Sequence, residues 1–216
     1  MKMKITSLLV VLVVATIVRG QVEIRSGYEV SELDLLNSHC DLSAVIGELK
    51  IGLIPDWLAI YGGYGHGQIN LPGYGIDGYA DLWRVGFQGQ FYKNGPWSLG
   101  LDAGVTQIGA EDSFLLANHP FGSRLQLTQI DMRPGLSWSY DGFTICGGPA
   151  ASYIAGDLDV GWMPFGSGSA HLSDDGWRFG AFAGMSCQAT EHLSFAIDGN
   201  FLSEGKTFRI NMAWRF

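Results

Sequence analysis

The final ten residues of the chain alternate without a break. Phe208, Ile210, Met212, Trp214 and Phe216 interleave with Thr207, Arg209, Asn211, Ala213 and Arg215. A strand built from them has one wholly apolar face and one face carrying two arginines and an asparagine. A half-buried strand of a soluble sandwich also alternates, but it has no reason to reach full strength at the carboxy-terminus and finish on a phenylalanine. A strand with lipid on one side and polar groups on the other has that reason.

The amino-terminal end reads as an export signal. Lys2 and Lys4 form a basic start, Leu8 to Val18 an apolar run, and Val18-Arg19-Gly20 a small-residue exit before Gln21. That run is shorter than the roughly 20 residues a spanning helix needs, so residues 1–20 are expected to be a cleaved signal peptide and residues 21–216 the working domain. No cysteine follows the apolar run, which argues against a lipid anchor. No other long apolar stretch occurs, so a membrane form of this chain has to cross with strands. Together with this signal, the terminal strand resembles the carboxy-terminal assembly signal of bacterial outer-membrane β-barrels. The resemblance implies that Phe208, Ile210, Met212, Trp214 and Phe216 are read by the barrel-assembly machinery in the periplasm.

Composition fits this picture. The chain has 31 glycines and 12% aromatic residues, as expected where glycines let strands bend and large rings fill the gaps beside them. Loss of the first twenty residues removes Lys2, Lys4 and Arg19 and no acid, which takes the net charge from −8 to −11. An acidic chain without Lys/Arg clusters is a poor partner for nucleic acid. Cys40, Cys146 and Cys187 are an odd set. Alternation puts Cys146 and Cys187 on opposite faces of neighbouring strands, so three free thiols are expected.

Strands counted backwards from Phe216, with short turns on the periplasmic side and longer loops outside, give an all-β fold: a closed antiparallel transmembrane up-and-down barrel. Inner turns fall at Pro55-Asp56, Lys93 to Pro96, Asp141-Gly142 and Thr190 to His192. Outer loops fall at Asn37 to Cys40, Leu71 to Gly78, Gly109 to Leu125, Asp157 to Asp175 and Ser203 to Lys206. Parity then requires a first strand, for which Gly27 to Leu36 is the available segment, giving about ten strands. Reading Glu29 to Leu36 as a short helix instead leads to an eight-stranded alternative. The stretch Thr190 to Phe195, a turn running into an alternating strand, is similar to the last periplasmic turn of small porin-like outer-membrane barrels. That likeness implies fold and no particular function.

In this frame the lipid face includes Trp83, Val85, Phe87 and Phe91, then Leu99 and Leu101, then Phe195, Ile197 and Phe201. The opposite face carries Glu48, Lys50, Arg84, Asp102, Asp131, Arg133, Arg178, Asp198, Arg209 and Arg215. A barrel of this size has an interior little wider than its own side chains, so charges of both signs are expected to pair and fill it. A narrow channel for small solutes through the same groups is the alternative. Trp57, Tyr92, Trp97, Tyr140, Trp177 and Trp214, at strand ends, read as interfacial girdles.

Candidate chemistry is sparse. His192 and Ser194 resemble the His-x-Ser pair of outer-membrane lipid A deacylases, with Glu204 as an orienting acid, but Glu204 lies at the far end of the strand, roughly 30 Å away at about 3.3 Å per residue. An outer-membrane protease, resting on paired acids and a loop histidine, is a second enzyme class considered. His39, Cys40 and Asp41, then Glu111, Asp112 and His119, then His171, Asp174 and Asp175 are acceptable ligand types without metal-motif spacing. Catalytic, metal and cofactor sites are therefore not expected. Trp162, Met163 and Phe165, ahead of the run Gly166 to Ser169, form an apolar loop cluster of the kind that marks a contact surface, with Phe114, Leu115, Leu116 and Phe121 of the other long loop as the internal alternative. The expectation is a monomeric outer-membrane barrel, surrounded by lipid, structural or surface-interacting, with a possible extracellular partner; the channel is second and a lipid-modifying or proteolytic enzyme third.

Overall fold

The computed structural model describes residues 22–35, 38–54, 57–116, 119–162 and 170–216, and side chains throughout these except 113–121, 162, 170–172 and 174. The expected signal peptide lies outside them. The described residues form ten strands: β1 (Val22–Leu35), β2 (Ser38–Ile54), β3 (Leu58–Leu71), β4 (Ile76–Asn94), β5 (Trp97–Leu116), β6 (His119–Tyr140), β7 (Phe143–Trp162), β8 (Ala170–Gln188), β9 (Leu193–Leu202) and β10 (Gly205–Arg215). Each is antiparallel to its chain neighbour, and β1 closes the barrel on β10 from Glu23↔Arg215 to Leu33↔Gly205. Phe216 adds to this seam by donating its backbone N–H to Val22 O at 3.0 Å.

The first strand starts at Val22 rather than Gly27, and Glu29 to Leu35 is strand rather than helix. At the inner rim the Asp141-Gly142 turn takes φ of 48° and 76°, the doubly left-handed hairpin that this dipeptide tolerates. The pair joins Tyr140 to Phe143 with no intervening residue. All three cysteines are free, with Cys40 buried and Cys187 exposed.

Two expected outer loops are strand instead. Gly109 to Leu125 is mostly β5 and β6, paired as far as Leu116↔His119, and Asp157 to Asp175 is largely β7 and β8, paired as far as Val160↔Ala170. The reason is a change of phase along the barrel axis. In the inner half, outward residues are apolar and exposed, as with Val85, Leu99, Leu136, Ile197 and Met212. In the outer half, outward residues are polar: His66, Gln68, Asp81, Glu111, Arg124, Gln126, Asp157 and Asp159 are all exposed. The inward residues invert in step. On β2, Leu42, Ala44 and Ile46 precede Glu48 and Lys50, and on β4, Ile76, Ala80 and Leu82 precede Arg84.

The outer half therefore has a core of its own. Leu33, Leu35, Cys40, Leu42, Ala44, Ile46, Ile69, Leu71, Ile76, Ala80, Leu82, Ile108, Ala110, Leu125, Leu127, Ile154 and Leu158 form one buried cluster inside the barrel. Leu71 and Leu158 are 0% exposed. A strand segment with apolar residues inside and polar residues outside suits water, as in any soluble barrel. On β7 the apolar band runs from Phe143 to about Tyr153. Ten residues at about 3.3 Å each and a tilt near 40° rise about 25 Å, the height of a lipid-facing belt. The strand continues nine residues further, to Trp162, roughly 20 Å beyond the belt by the same geometry.

Trp177 shows where the belt ends. It lies well inside β8 rather than at a strand end, is exposed, and packs its ring 5.5 Å from that of Tyr153, whose hydroxyl donates to Asp175 at 3.0 Å. One side of the pair is apolar and the other is wet, as at an interface.

Candidate functional site

Below the apolar core the barrel holds charged side chains in two tiers. Glu29 is the hub of the upper tier. Its carboxylate accepts from Arg84 Nη2 at 2.8 Å, Arg209 Nε at 2.6 Å and Ser31 Oγ at 3.3 Å. Arg84 also donates to Thr106 Oγ1 at 3.0 Å and to Glu48 Oε1 at 3.4 Å. Glu48 and Arg84 sit on strands separated by β3, paired through Gly63. A Cβ at Gly63 would come within 2.7 Å of Glu48 Cγ, so the side chains meet because that position has none.

Beside this hub, Arg133 donates to Asp102 at 2.6 Å and Asp198 at 3.2 Å. Tyr61 donates its hydroxyl to Asp102 at 2.9 Å. The Tyr61 ring lies where a Cβ at Gly86 or Gly104 would meet its hydroxyl at 2.5 Å and 2.7 Å. Asn211 donates to Asp198 at 3.4 Å and Gln129 to Asp131 at 2.8 Å. Arg84 and Glu29 have side chains only 7% and 6% exposed. Charges removed from water this far are held by saturating their hydrogen bonds, and taking away one partner strands the other.

The lower tier lies at the inner rim. Glu23 sits opposite Lys50 on β2 and Arg215 on β10, and Arg25 follows two residues along on the same face. Arg25 Nε lies 2.5 Å from Glu23 Oε1 and Arg215 Nη2 lies 3.3 Å from Glu23 Oε2. Lys50 donates to Gln88 at 2.6 Å. These residues line a polar cavity of about 750 Å³ that reaches up to Glu48, Arg84, Asp102, Arg133, Cys146, Asp198 and Arg209.

The ten sequence-derived lumen residues are thus distributed rather than gathered in one cluster. Glu48, Arg84, Asp102, Asp131, Arg133, Asp198 and Arg209 occupy the upper tier, and Lys50 and Arg215 the rim. Arg178 stands apart. It lies toward the outer end of β8 and donates to Glu204 Oε2 at 3.2 Å and to the backbone carbonyl of Asp34 at 2.6 Å, tying the short β9–β10 hairpin to β1. Sequence reasoning missed Glu29, Glu23, Arg25 and Tyr61. Glu29, Glu23 and Arg25 share the odd-numbered face of β1, a strand whose amino-terminal part was not recognised.

The other candidate clusters separate. His192 Nδ1 lies 2.9 Å from Arg215 O, and its ring stacks on Trp214 at 5.8 Å. Glu204 pairs with Arg178 at the opposite end of the barrel, so His192, Ser194 and Glu204 are not brought together. His39 meets Asp34 at 3.1 Å and Asp41 at 3.2 Å on the outer rim, where the hydrogen bond to Asp34, helped by Asp41 and Glu32, raises its pKa above the ordinary value. Glu111 pairs with Arg124 at 2.7 Å. Met163 and Phe165 lie outside the described residues, as does the Trp162 side chain; the backbone of Trp162 ends β7 opposite Phe121.

No protein-family model matches the sequence, and no curated protein matches it. Solved structures match in fold. The outer membrane protease OmpT from Escherichia coli is similar over 91% of this chain and 95% of its own, with 11% identity and a TM-score of 0.52. The translocator domain of the autotransporter NalP from Neisseria meningitidis is similar over 91% of this chain and 88% of its own, with 8% identity and a TM-score of 0.52. Both likenesses are in fold alone. With its closed ten-stranded sheet and an exposed apolar belt suited to lipid, this chain has the fold of a bacterial outer-membrane β-barrel.

Proposed function

We propose that this protein is a non-conducting, non-enzymatic barrel that carries a β-sheet platform above the outer leaflet, where the platform contacts an extracellular partner. The observation that carries this reading is the apolar core of the outer half. Ions cross a barrel through a hydrated lumen, and an interior filled by Leu42, Leu71, Leu82, Leu125 and Leu158 offers them no hydration.

The platform is the part of the sheet that outlasts its neighbours. The β4–β5 ladder stops at Ala80↔Ala110 while β5 continues to Leu116, and the β8–β9 ladder stops at Gly180↔Leu202 while β8 begins at Ala170. Among the described residues, β5 to β8 thus form a four-stranded sheet with two edges of its own. Such edges recruit partner strands unless they are covered. Trp162, Met163 and Phe165 remain the candidate contact residues, of which Met163 and Phe165 lie outside the described residues. The terminal strand, with Phe208, Ile210, Met212, Trp214 and Phe216, serves in this reading as the signal for the assembly machinery.

Planar-bilayer recording tests the proposal. The purified barrel should give no discrete conductance steps; reproducible steps would replace this reading with that of a narrow solute channel.

A further inference from the structure

On the lumen-facing side of the inner rim, cationic side chains outnumber the acid that faces them. Arg25, Lys50 and Arg215 surround the single carboxylate of Glu23, which sits opposite Lys50 and Arg215 in the two ladders and bonds both arginines. Lys50 has Gln88 as its hydrogen-bond partner and no carboxylate within ion-pair distance among the described residues. The upper tier has the opposite sign: Glu29, Glu48, Asp102, Asp131 and Asp198 outnumber Arg84, Arg133 and Arg209. The lumen is therefore polarised along its axis, with the cationic end at the periplasmic mouth of the 750 Å³ cavity. This occurs in a chain whose net charge is −8, so the mouth is a local exception to the protein's acidity.

We propose that this mouth is a binding site for a small soluble anion bearing carboxylate or phosphate groups, taken from the periplasm. Three cationic groups converging from β1, β2 and β10 supply fork and point donors to such a ligand. Ser137, Ser139, Thr144, Ser186 and Ser194 line the same cavity and add hydroxyl donors. The volume suits a small-molecule ligand. Depth of entry is set by charge: an anion is drawn to the rim and repelled by the acid-rich tier above, so it is held and not passed on. The site faces the periplasm, so it operates whether or not the outer platform has a partner.

Titration calorimetry of the full chain in neutral detergent, with citrate and with inorganic phosphate as probes at ionic strength held constant with sodium chloride, tests this. Saturable binding is expected, with citrate stronger than phosphate. The K50Q/R215Q double variant should lose about tenfold or more in affinity, in line with the strength of charge-assisted hydrogen bonds. R124Q, on the outer surface, should bind as the parent does. Binding that is absent in the parent, or undiminished in K50Q/R215Q, overturns the proposal. Cys146 lines the same cavity, which gives a second readout should the double variant fail to fold. In a C40A/C187A background, citrate should slow the reaction of Cys146 with N-ethylmaleimide while matched sodium chloride does not. Equal rates with the two salts would overturn the proposal.

Discussion

The two halves of this barrel solve opposite solvation problems with one continuous set of strands. Along β7, Ile145 faces out and Cys146 in near the inner rim, whereas Asp157 faces out and Leu158 in near the outer rim. Side-chain direction keeps its period of two throughout; polarity changes sides. The lesson is that alternation identifies a strand, and its phase identifies the solvent. In the inner half the bilayer takes the apolar side chains, and the interior must satisfy charges. In the outer half water takes the polar side chains, and the interior is free to be a hydrocarbon core. Stability should accordingly come from hydrogen-bonded ion pairs below and from packing above.

The largest effect should come from charging the upper core. Leu158→Lys places an ammonium in a fully buried apolar site, and a loss of more than about 4 kcal/mol or outright failure to fold is expected. The adjacent outward change Asp157→Lys should stay within about 0.5 kcal/mol. Urea unfolding in detergent or lipid, followed by the heat-modifiable mobility of the folded barrel, measures both. Comparable losses at the two positions would break the contrast.

Next in size is the hub of the lower half. Glu29→Ala leaves Arg84 and Arg209 without their shared carboxylate, and a cost of about 3–5 kcal/mol is expected from stranding buried guanidinium groups. Glu29→Gln should recover part of it by keeping hydrogen-bond acceptance. A midpoint unchanged in Glu29→Ala would mean that the lower lumen is wet enough to solvate its arginines.

Third, the lipid face of the lower half should reject charge. Ile197 lies mid-strand on β9, exposed opposite Ile210, and Ile197→Lys should cost about 2–4 kcal/mol in bilayers. The same lysine at outward Gln126 in the upper half should be neutral to within about 0.5 kcal/mol.

Much of this was legible in the sequence, and the part that was not has one cause. The ten strands, three of the inner turns and the lower lipid face follow from a pattern with apolar residues outward; the fourth expected inner turn, Pro55-Asp56, lies outside the described residues. The same template, applied to the upper half, finds Gln126, Asp157 and Asp159 where it expects lipid-facing residues, and so reads Gly109 to Leu125 and Asp157 to Asp175 as loops. Leu125, Leu127, Ile154 and Leu158 were alternating all along, in the other phase. β1 was obscured for the same reason: Glu29 and Ser31 precede Leu33 and Leu35 on one face, so the strand changes phase midway and matches neither pattern over its full length. The hub carboxylate was lost with it.

A smaller effect concerns pH at the outer rim. The hydrogen bond His39 donates to Asp34, with Asp41 and Glu32 nearby, raises the pKa of the exposed His39 above its ordinary 6.5. A raised value means that the folded state favours the protonated ring. This contribution is present below the ordinary pKa and is lost as pH rises through the raised one. NMR titration of the His39 ring should give a midpoint above 6.5 that falls in Asp34→Asn. A midpoint unmoved by Asp34→Asn would remove the hydrogen bond as its cause.

The phase inversion itself is tested most directly by a nitroxide scan along β7 from Ile145 to Asp159, in liposomes and with the native cysteines replaced by alanine. Accessibility to oxygen reports lipid, and accessibility to a water-soluble nickel chelate reports water. The account predicts that outward positions near Ile145 are oxygen-accessible, that outward Asp157 and Asp159 are chelate-accessible, and that inward Ile154 and Leu158 are shielded from both. Chelate access at 154 and 158, or oxygen access at 157 and 159, would show one uniform polarity along the strand and contradict it.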